Sequence, residues 1–290
     1  MTRSYEVSAS RSLALETRNK LTQLGIPPLK RFGQHFLIDT KIRDIMVTVA
    51  QLTTHDRILE IGPGLGYLTL ALLKNAGKVI AVEKDRTLAH YLTKYFSKVN
   101  NLTVIQGDAL KLGKLDCNKI VSSPPYNLSS KLVLFIIRNQ FDSAVLLLQN
   151  EFAQRLTASS GTHEYGRLTV VLQSRADARM IMKVPRTAFY PQPNVDSAIV
   201  TIEPKANPPA IENEPVFEEL VRFLFTQRRR KLKAVLTRFL RDKYPTATNS
   251  ILTQITFLEK RIFQISPPEL IDLSNQIAIK QSGSCDGHVS

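Results

Sequence analysis

Glu60-Ile61-Gly62-Pro63-Gly64-Leu65-Gly66 is the stretch whose reading decides the fold. It closes an apolar run, Arg57–Gly62, and opens a helical stretch, Tyr67–Asn75. A strand that ends in glycines and passes straight into a helix marks the ligand-facing turn of an open α/β sheet, because glycine lets a ligand approach the backbone closely. A dinucleotide site spaces its first and last glycine five apart, as GxGxxG; here Gly66 lies four residues after Gly62, which disfavours an NAD oxidoreductase. Working outward, short apolar runs at Lys78–Glu83, Leu102–Asp108, Lys119–Ser122 and Ala144–Gln149 alternate with helical patterns at Arg86–Ser97, Ser130–Asn139 and Glu151–Thr157. Near-continuous apolar strands alternating with helices predict a mostly parallel sheet covered on both faces. Upstream, Asp39 or Thr40 is placed to cap a helix running to about Ala50. Ala178–Val184 and Ser197–Ile202, joined by the Pro-rich loop Pro185–Asn194, predict a terminal antiparallel hairpin on the same sheet.

Beyond Asn207-Pro208-Pro209 the strand signal stops, and Pro215–Phe225, Arg228–Arg241, Ser250–Phe257 and Pro267–Ile277 are expected to be helices. The expected organisation is an N-terminal arm or frayed helix over 1–28, an α/β ligand-binding domain over 29–205, a small helical domain over 206–280 and a disordered Gly/Ser-rich tail over 281–290. The 290 residues are 43% hydrophobic, enough for a sizeable core. No uncharged apolar run has the length of a membrane span, and no apolar segment follows the N-terminal charges, so a soluble cytoplasmic protein is expected. The formal charge of +14 points to a polyanion, and nucleic acid is the expected partner. The two cysteines, Cys117 and Cys285, form no CxxC and stand near no His cluster, so neither a metal site nor a structural disulfide is expected.

The chemistry-bearing residues collect at strand ends. Glu83 closes the second strand, where a carboxylate accepts both hydroxyls of a ribose; Asp108 closes the third and is placed to accept an adenine amine. For either alone a solvated acid is the competing reading. Ser123-Pro124-Pro125-Tyr126 follows the fourth strand and resembles the D/N/S-P-P-Y/F/W motif of amino-methyltransferases. The adenine N6 lone pair is delocalised into the ring. Two acceptors, the Ser123 hydroxyl and the Pro124 carbonyl, would draw it out, and Tyr126 would stack on a flipped base. Phe189, in Phe189-Tyr190-Pro191-Gln192-Pro193-Asn194, either closes the other side of the base or packs in the core. Arg228, Arg229, Arg230, Lys231 and Lys233 are expected to contact phosphates from a basic helix, with Lys30 and Arg31 as a second contact; a solvated face is the alternative.

Several of these motifs fall in one order. Arg31-Phe32-Gly33-Gln34-His35-Phe36-Leu37, Glu60–Gly66, Gly107-Asp108-Ala109, Pro125-Tyr126-Asn127, Phe189–Ser197 and Phe225-Thr226-Gln227-Arg228-Arg229 together resemble the ribosomal RNA adenine N6,N6-dimethyltransferase family over about Lys30 to Ile277. The resemblance implies a Rossmann-like class I methyltransferase fold with a C-terminal helical domain, and S-adenosylmethionine as cofactor. It also implies dimethylation of two adjacent adenosines in a hairpin near the 3′ end of small-subunit rRNA, in a pre-30S particle; a monomer is expected. Cofactor contacts are implied for Gln34, His35, Leu37, Gly62, Gly64, Glu83, Asp108 and Ser123. The family's usual motif begins with Asn where this chain has Ser123, which bears on the extent of dimethylation. Three rivals stay open: the macrolide-resistance branch acting on large-subunit rRNA, a DNA adenine methyltransferase, and a non-catalytic ribosome-assembly factor on the same fold.

Overall fold

The structure, a computed structural model, describes residues 2–26, 34–113, 115–139 and 141–283. The chain divides into two compact units, residues 1–153 with 178–204, and residues 154–177 with 205–290.

The first unit is built on a seven-stranded sheet. Its strands are β2 (Arg57–Ile61), β3 (Lys78–Glu83), β4 (Leu102–Gln106), β5 (Lys119–Ser122), β6 (Ser143–Gln149), β7 (Ala176–Val184) and β9 (Ser197–Pro204). The order is β4-β3-β2-β5-β6-β9-β7. The first five run parallel and β9 pairs antiparallel with β6, from Ala144 opposite Ile202 to Gln149 opposite Ser197. Ile58–Ile61, Val79–Glu83 and Ala144–Leu148 are buried without interruption, as strands covered on both faces must be. Helices α2 (Thr40–Val49), α3 (Tyr67–Leu72), α4 (Arg86–Tyr95), α5 (Ser129–Arg138) and α6 (Asn150–Leu156) follow or connect the strands. Asp39 caps α2 by accepting from the Lys41 and Ile42 amides, and Asp85 caps α4 through Thr87 and Leu88.

Two elements escape a reading by period. The N-terminal stretch, expected as an arm or a frayed helix, forms α1 (Thr2–Gln23). A two-residue strand, β1 (Phe36–Leu37), pairs antiparallel with β8 (Phe189–Tyr190), with Phe36 opposite Tyr190 and Leu37 opposite Phe189.

The second unit holds α7 (Arg167–Gln173), α8 (Glu214–Phe225), α9 (Leu232–Lys243), α10 (Thr248–Leu252) and α11 (Pro267–Gly283). Residues 154–177 cluster here rather than with the sheet domain because Ala158, Tyr165 and Val170 share a core with Phe217, Leu236 and Ile271. The Tyr165 hydroxyl donates to the Ile265 carbonyl at 2.9 Å inside that core. The helix expected over Arg228–Arg241 starts only at Leu232. The backbone ahead of it is spent on the loop before α11: Phe263 N–H bonds to the Arg228 carbonyl, Ile262 to Arg230, and Leu232 to Lys260. At the other end α11 runs through Gly283, past the expected stop at Ile277 and into the stretch expected to be disordered; 284–290, the rest of that tail, lie outside the described residues.

Candidate active site

The sheet order sets the site. Strands β4, β3, β2 and β5 are neighbours, and the segments leaving their carboxyl ends carry, in that order, Asp108, Glu83, the glycine turn and Ser123–Tyr126. Adjacent strands stand ~4.8 Å apart, so four of them span ~14 Å, the reach of an extended nucleoside–amino acid conjugate. A cleft follows this edge in two lobes that share Gln34, Gly62, Glu83 and Pro125. One lobe is completed by His35, Leu37 and Ser123, the other by Gly107, Asp108 and Leu128.

The glycine turn is packed as tightly as its composition demands. Gly62 and Gly64 have φ of 71° and 61°, in the left-handed region that other residues avoid. A Cβ on Gly62 would meet Pro125 Cδ at 3.0 Å, and one on Gly64 would meet the Phe36 ring at 2.9 Å. The turn is thereby wedged between the Pro-Pro segment and the Gln34–Leu37 segment. Beneath it Glu60, 1% exposed, accepts from the Thr69 hydroxyl at 2.6 Å. Burial pushes the Glu60 carboxyl up to about 8, against the pull of the Thr69 bonds and with a further push from Glu83. The folded protein therefore holds a proton that the unfolded chain releases above the ordinary value of 4.5, and stability is lost as pH rises from there to about 8. Glu60→Gln keeps an acceptor for Thr69 and removes the titration. Its melting temperature should fall less than that of the parent between pH 5 and pH 8, by the equivalent of a few kcal/mol. Equal pH slopes in a thermal melt series would contradict this.

Glu83 is buried, and each carboxylate oxygen takes one backbone donor: Gly64 N–H to Oε2 at 3.1 Å and Asp85 N–H to Oε1 at 2.9 Å. A carboxylate offers about four acceptor sites, so two remain for a ligand diol. Burial raises its pKa, and the backbone bonds from Asp85 and Gly64 oppose the rise. Asp108 lies just past the end of β4, its Oδ1 accepting from the Leu110 amide at 3.2 Å and its Oδ2 3.8 Å from the Lys84 ammonium.

At the β5 end the two serines differ. Ser122 is buried and donates to the Ile61 carbonyl at 2.6 Å, which ties β5 to the glycine strand. Ser123 lines the cleft, and among the described residues neither its hydroxyl nor the Pro124 carbonyl has a protein partner. Tyr126 is fixed at its far end by a 2.6 Å bond between its hydroxyl and Ser197 Oγ. Burial raises the pKa of this phenol, with the Ser197 bond opposing, so it stays neutral at physiological pH. Its ring lies 5.5 Å from that of His35 at 31°. His35 Nδ1–H donates to the Pro191 carbonyl at 2.7 Å. Ser197 and Pro191 have no local pattern that announces these roles. Phe189 is 3% exposed and meets Tyr126 edge-on, with centroids 6.5 Å apart and planes at 71°. Phe189 is held in the core with Leu37, Val184 and Ile199, with its edge toward the Tyr126 ring.

The basic run in the second unit also separates into roles. Arg228 is half-buried, and its guanidinium donates to the Tyr165 carbonyl at 2.8 Å and to the His163 carbonyl at 2.5 Å. Lys231 pairs with Glu259 at 2.7 Å. Arg229, Arg230 and Lys233 are exposed. Arg228 thus spends its guanidinium on packing this unit, whereas Arg229, Arg230 and Lys233 stay exposed. Arg229→Ala with Arg230→Ala should weaken RNA binding and lower the salt dependence by about one to two ions. Arg228→Ala should instead lower the melting temperature. An unchanged salt slope in the double variant would leave these arginines as a solvated face. Lys30 and Arg31 lie outside the described residues. Among the described residues no helix is long and apolar enough to cross a membrane, and no cluster of metal-ligating side chains occurs.

A parallel sheet closed by an antiparallel β6–β9 pair, with this glycine turn and these strand-end acids, defines a Rossmann-like class I methyltransferase. The chain belongs to the ribosomal RNA adenine dimethylase family, whose model matches residues 29–275. Its members use S-adenosylmethionine to methylate adenine in ribosomal RNA. The chain is 41% identical over 249 residues to a probable ribosomal RNA small subunit methyltransferase A of Methanosarcina acetivorans, covering 85% of this chain and 92% of the relative. A Pyrococcus abyssi protein of the same description is 38% identical, with 89% and 94% covered. Among solved structures, a dimethyladenosine transferase from Plasmodium falciparum superposes with a TM-score of 0.77 at 29% identity, over 85% of this chain and 98% of that one. The 23S rRNA methyltransferase ErmE superposes with a TM-score of 0.65 at 27% identity, over 84% and 99%.

Proposed function

We propose that the protein dimethylates N6 of two adjacent adenosines in a hairpin near the 3′ end of small-subunit rRNA, acting as a cytoplasmic monomer on a pre-30S particle. The observation that carries the chemistry is the order of groups along the sheet edge: a carboxylate, a buried carboxylate, a glycine cradle, then two unpartnered acceptors beside an aromatic ring. The small-subunit substrate is favoured over the large because the 38–41% identical relatives bear the small-subunit description, while the 23S enzyme is 27% identical. One chain contains every group the reaction uses, which supports a monomer.

S-adenosylmethionine fits the donor set. A side chain at Gly64 would fill the turn, and Glu83 keeps two acceptor sites in a buried position. Glu83 would hold the ribose, Asp108 the adenine amine, and Gln34, His35, Leu37, Gly62, Gly64 and Ser123 the remainder. When bound, it supplies an activated sulfonium methyl. The protein's task is then position. Ser123 Oγ and the Pro124 carbonyl accept the two amine hydrogens and localise the nitrogen lone pair, and Tyr126 stacks on the flipped base. Neither needs to remove a proton before attack, since the amine proton is lost to solvent once nitrogen has bonded to carbon.

The substrate is tested by incubating the protein with radiolabelled S-adenosylmethionine and, in parallel, small-subunit precursors, large-subunit particles and DNA. Label is expected in the small-subunit precursors. Preferential labelling of large-subunit particles would move the protein to the macrolide-resistance branch.

A further inference from the structure

We infer that α1, which lies ahead of the family match at residues 29–275, is a positioning element for the cofactor turn. The inference rests on the reading that the glycine turn holds S-adenosylmethionine. Helix α1 is one-sided where its side chains are described: Thr17 is 0% exposed and Leu21 1%, whereas Leu15 is 58% exposed. Past its end the chain turns at Gly25, and the Ile26 amide bonds back to the Leu21 carbonyl at 2.9 Å. Leu21 and Ile26 then share one apolar cluster with Phe36, Leu65 and Leu88. These are not remote core positions. Leu65 is inside the turn, and Phe36 is the side chain that occupies the space above Gly64.

The helix also grips the far end of the turn. Thr17 Oγ1 lies 3.2 Å from the hydroxyl of Tyr67, the first residue of α3, and Lys20 Nζ sits 5.6 Å from the centroid of the Tyr91 ring on α4. The described residues of α1 do not line the cleft. The helix therefore braces the turn from behind, through Phe36 on one side and Tyr67 on the other. A ligand that needs backbone amides and Glu83 held in register feels the loss of that brace as weaker binding, not as slower chemistry.

The test uses the full chain and S-adenosylhomocysteine as the calorimetric probe. Leu21→Ala should weaken its binding about five- to tenfold, and Thr17→Val about threefold. The KM for S-adenosylmethionine should rise by the same factors while kcat at saturating cofactor stays near the parent value. The control Leu15→Ala should bind as the parent does. If Leu21→Ala does not fold, Thr17→Val decides, since exchanging a hydroxyl for a methyl changes little volume. Parent-like affinity in the folded variants, or a loss of kcat with affinity unchanged, would overturn the proposal. A parent protein that binds no S-adenosylhomocysteine would instead overturn the assignment of the turn itself.

Discussion

Tyr126→Ala should abolish most turnover while leaving S-adenosylmethionine affinity nearly intact. The side chain is anchored at its hydroxyl by Ser197 and flanked by His35, so its ring is held in a fixed orientation three residues past Ser123. Loss of base stacking alone costs about 1–3 kcal/mol, roughly a five- to 150-fold fall in rate. Misplacement of the amine relative to Ser123 Oγ and the Pro124 carbonyl adds to that, because a shift of about 1 Å in a reacting group can cost a hundredfold. Tyr126→Phe separates the contributions: it keeps the platform and loses only the Ser197 bond, so it should retain much more activity. Single-turnover methylation of an rRNA fragment, with cofactor affinity measured alongside, gives both numbers. Parent-like turnover in Tyr126→Ala would remove the stacking role and the assignment of the Ser-Pro-Pro-Tyr segment with it.

Glu83→Ala should have the complementary signature. The carboxylate is buried at the β3 end with two acceptor sites free, so bonds to a ribose diol would form out of water. A charge-assisted hydrogen bond is worth about 1.5–3 kcal/mol, and the variant should bind S-adenosylmethionine roughly 10- to 150-fold more weakly by calorimetry. The Gly64 and Asp85 amides lose their acceptor as well, so the turn loosens in the same variant. Glu83→Gln keeps one acceptor oxygen and should fall between. Unchanged affinity in Glu83→Ala would mean that the ribose lies elsewhere along the edge.

How much of this was legible in the chain depends on the range of the interactions. The strands β2, β3 and β6 announce themselves as unbroken apolar runs, and a parallel sheet forces its strands' carboxyl ends onto one edge, so the sequence alone groups Glu83, Asp108 and Ser123. The glycine turn was legible because left-handed backbone leaves glycine as its mark. What could not be read is whatever one distant segment does for another. The bonds of Tyr126 to Ser197 and of His35 to Pro191 join positions 71 and 156 residues apart, and no local period encodes them. Strands β1 and β8 are two residues each, too short for alternation to register. The basic run failed for the same reason. Arg228–Lys231 reads as a helix by propensity, but its backbone is claimed by residues 260–263 and its first guanidinium by carbonyls at 163 and 165. Helix α1 lacks a strong apolar stripe, and among its described side chains the buried ones, Thr17 and Leu21, land beside the glycine turn and its helix.

The most direct test of the central claim is the identity of the product base. Small-subunit precursors are incubated with the protein and S-adenosylmethionine carrying a deuterated methyl, and the rRNA is digested to nucleosides for mass spectrometry. The groups at the sheet edge predict two labelled methyls on N6 of adenosine, with Ser123→Asn holding or raising the ratio of di- to monomethyladenosine. Label on a ring nitrogen, on the ribose or on another base would contradict the account.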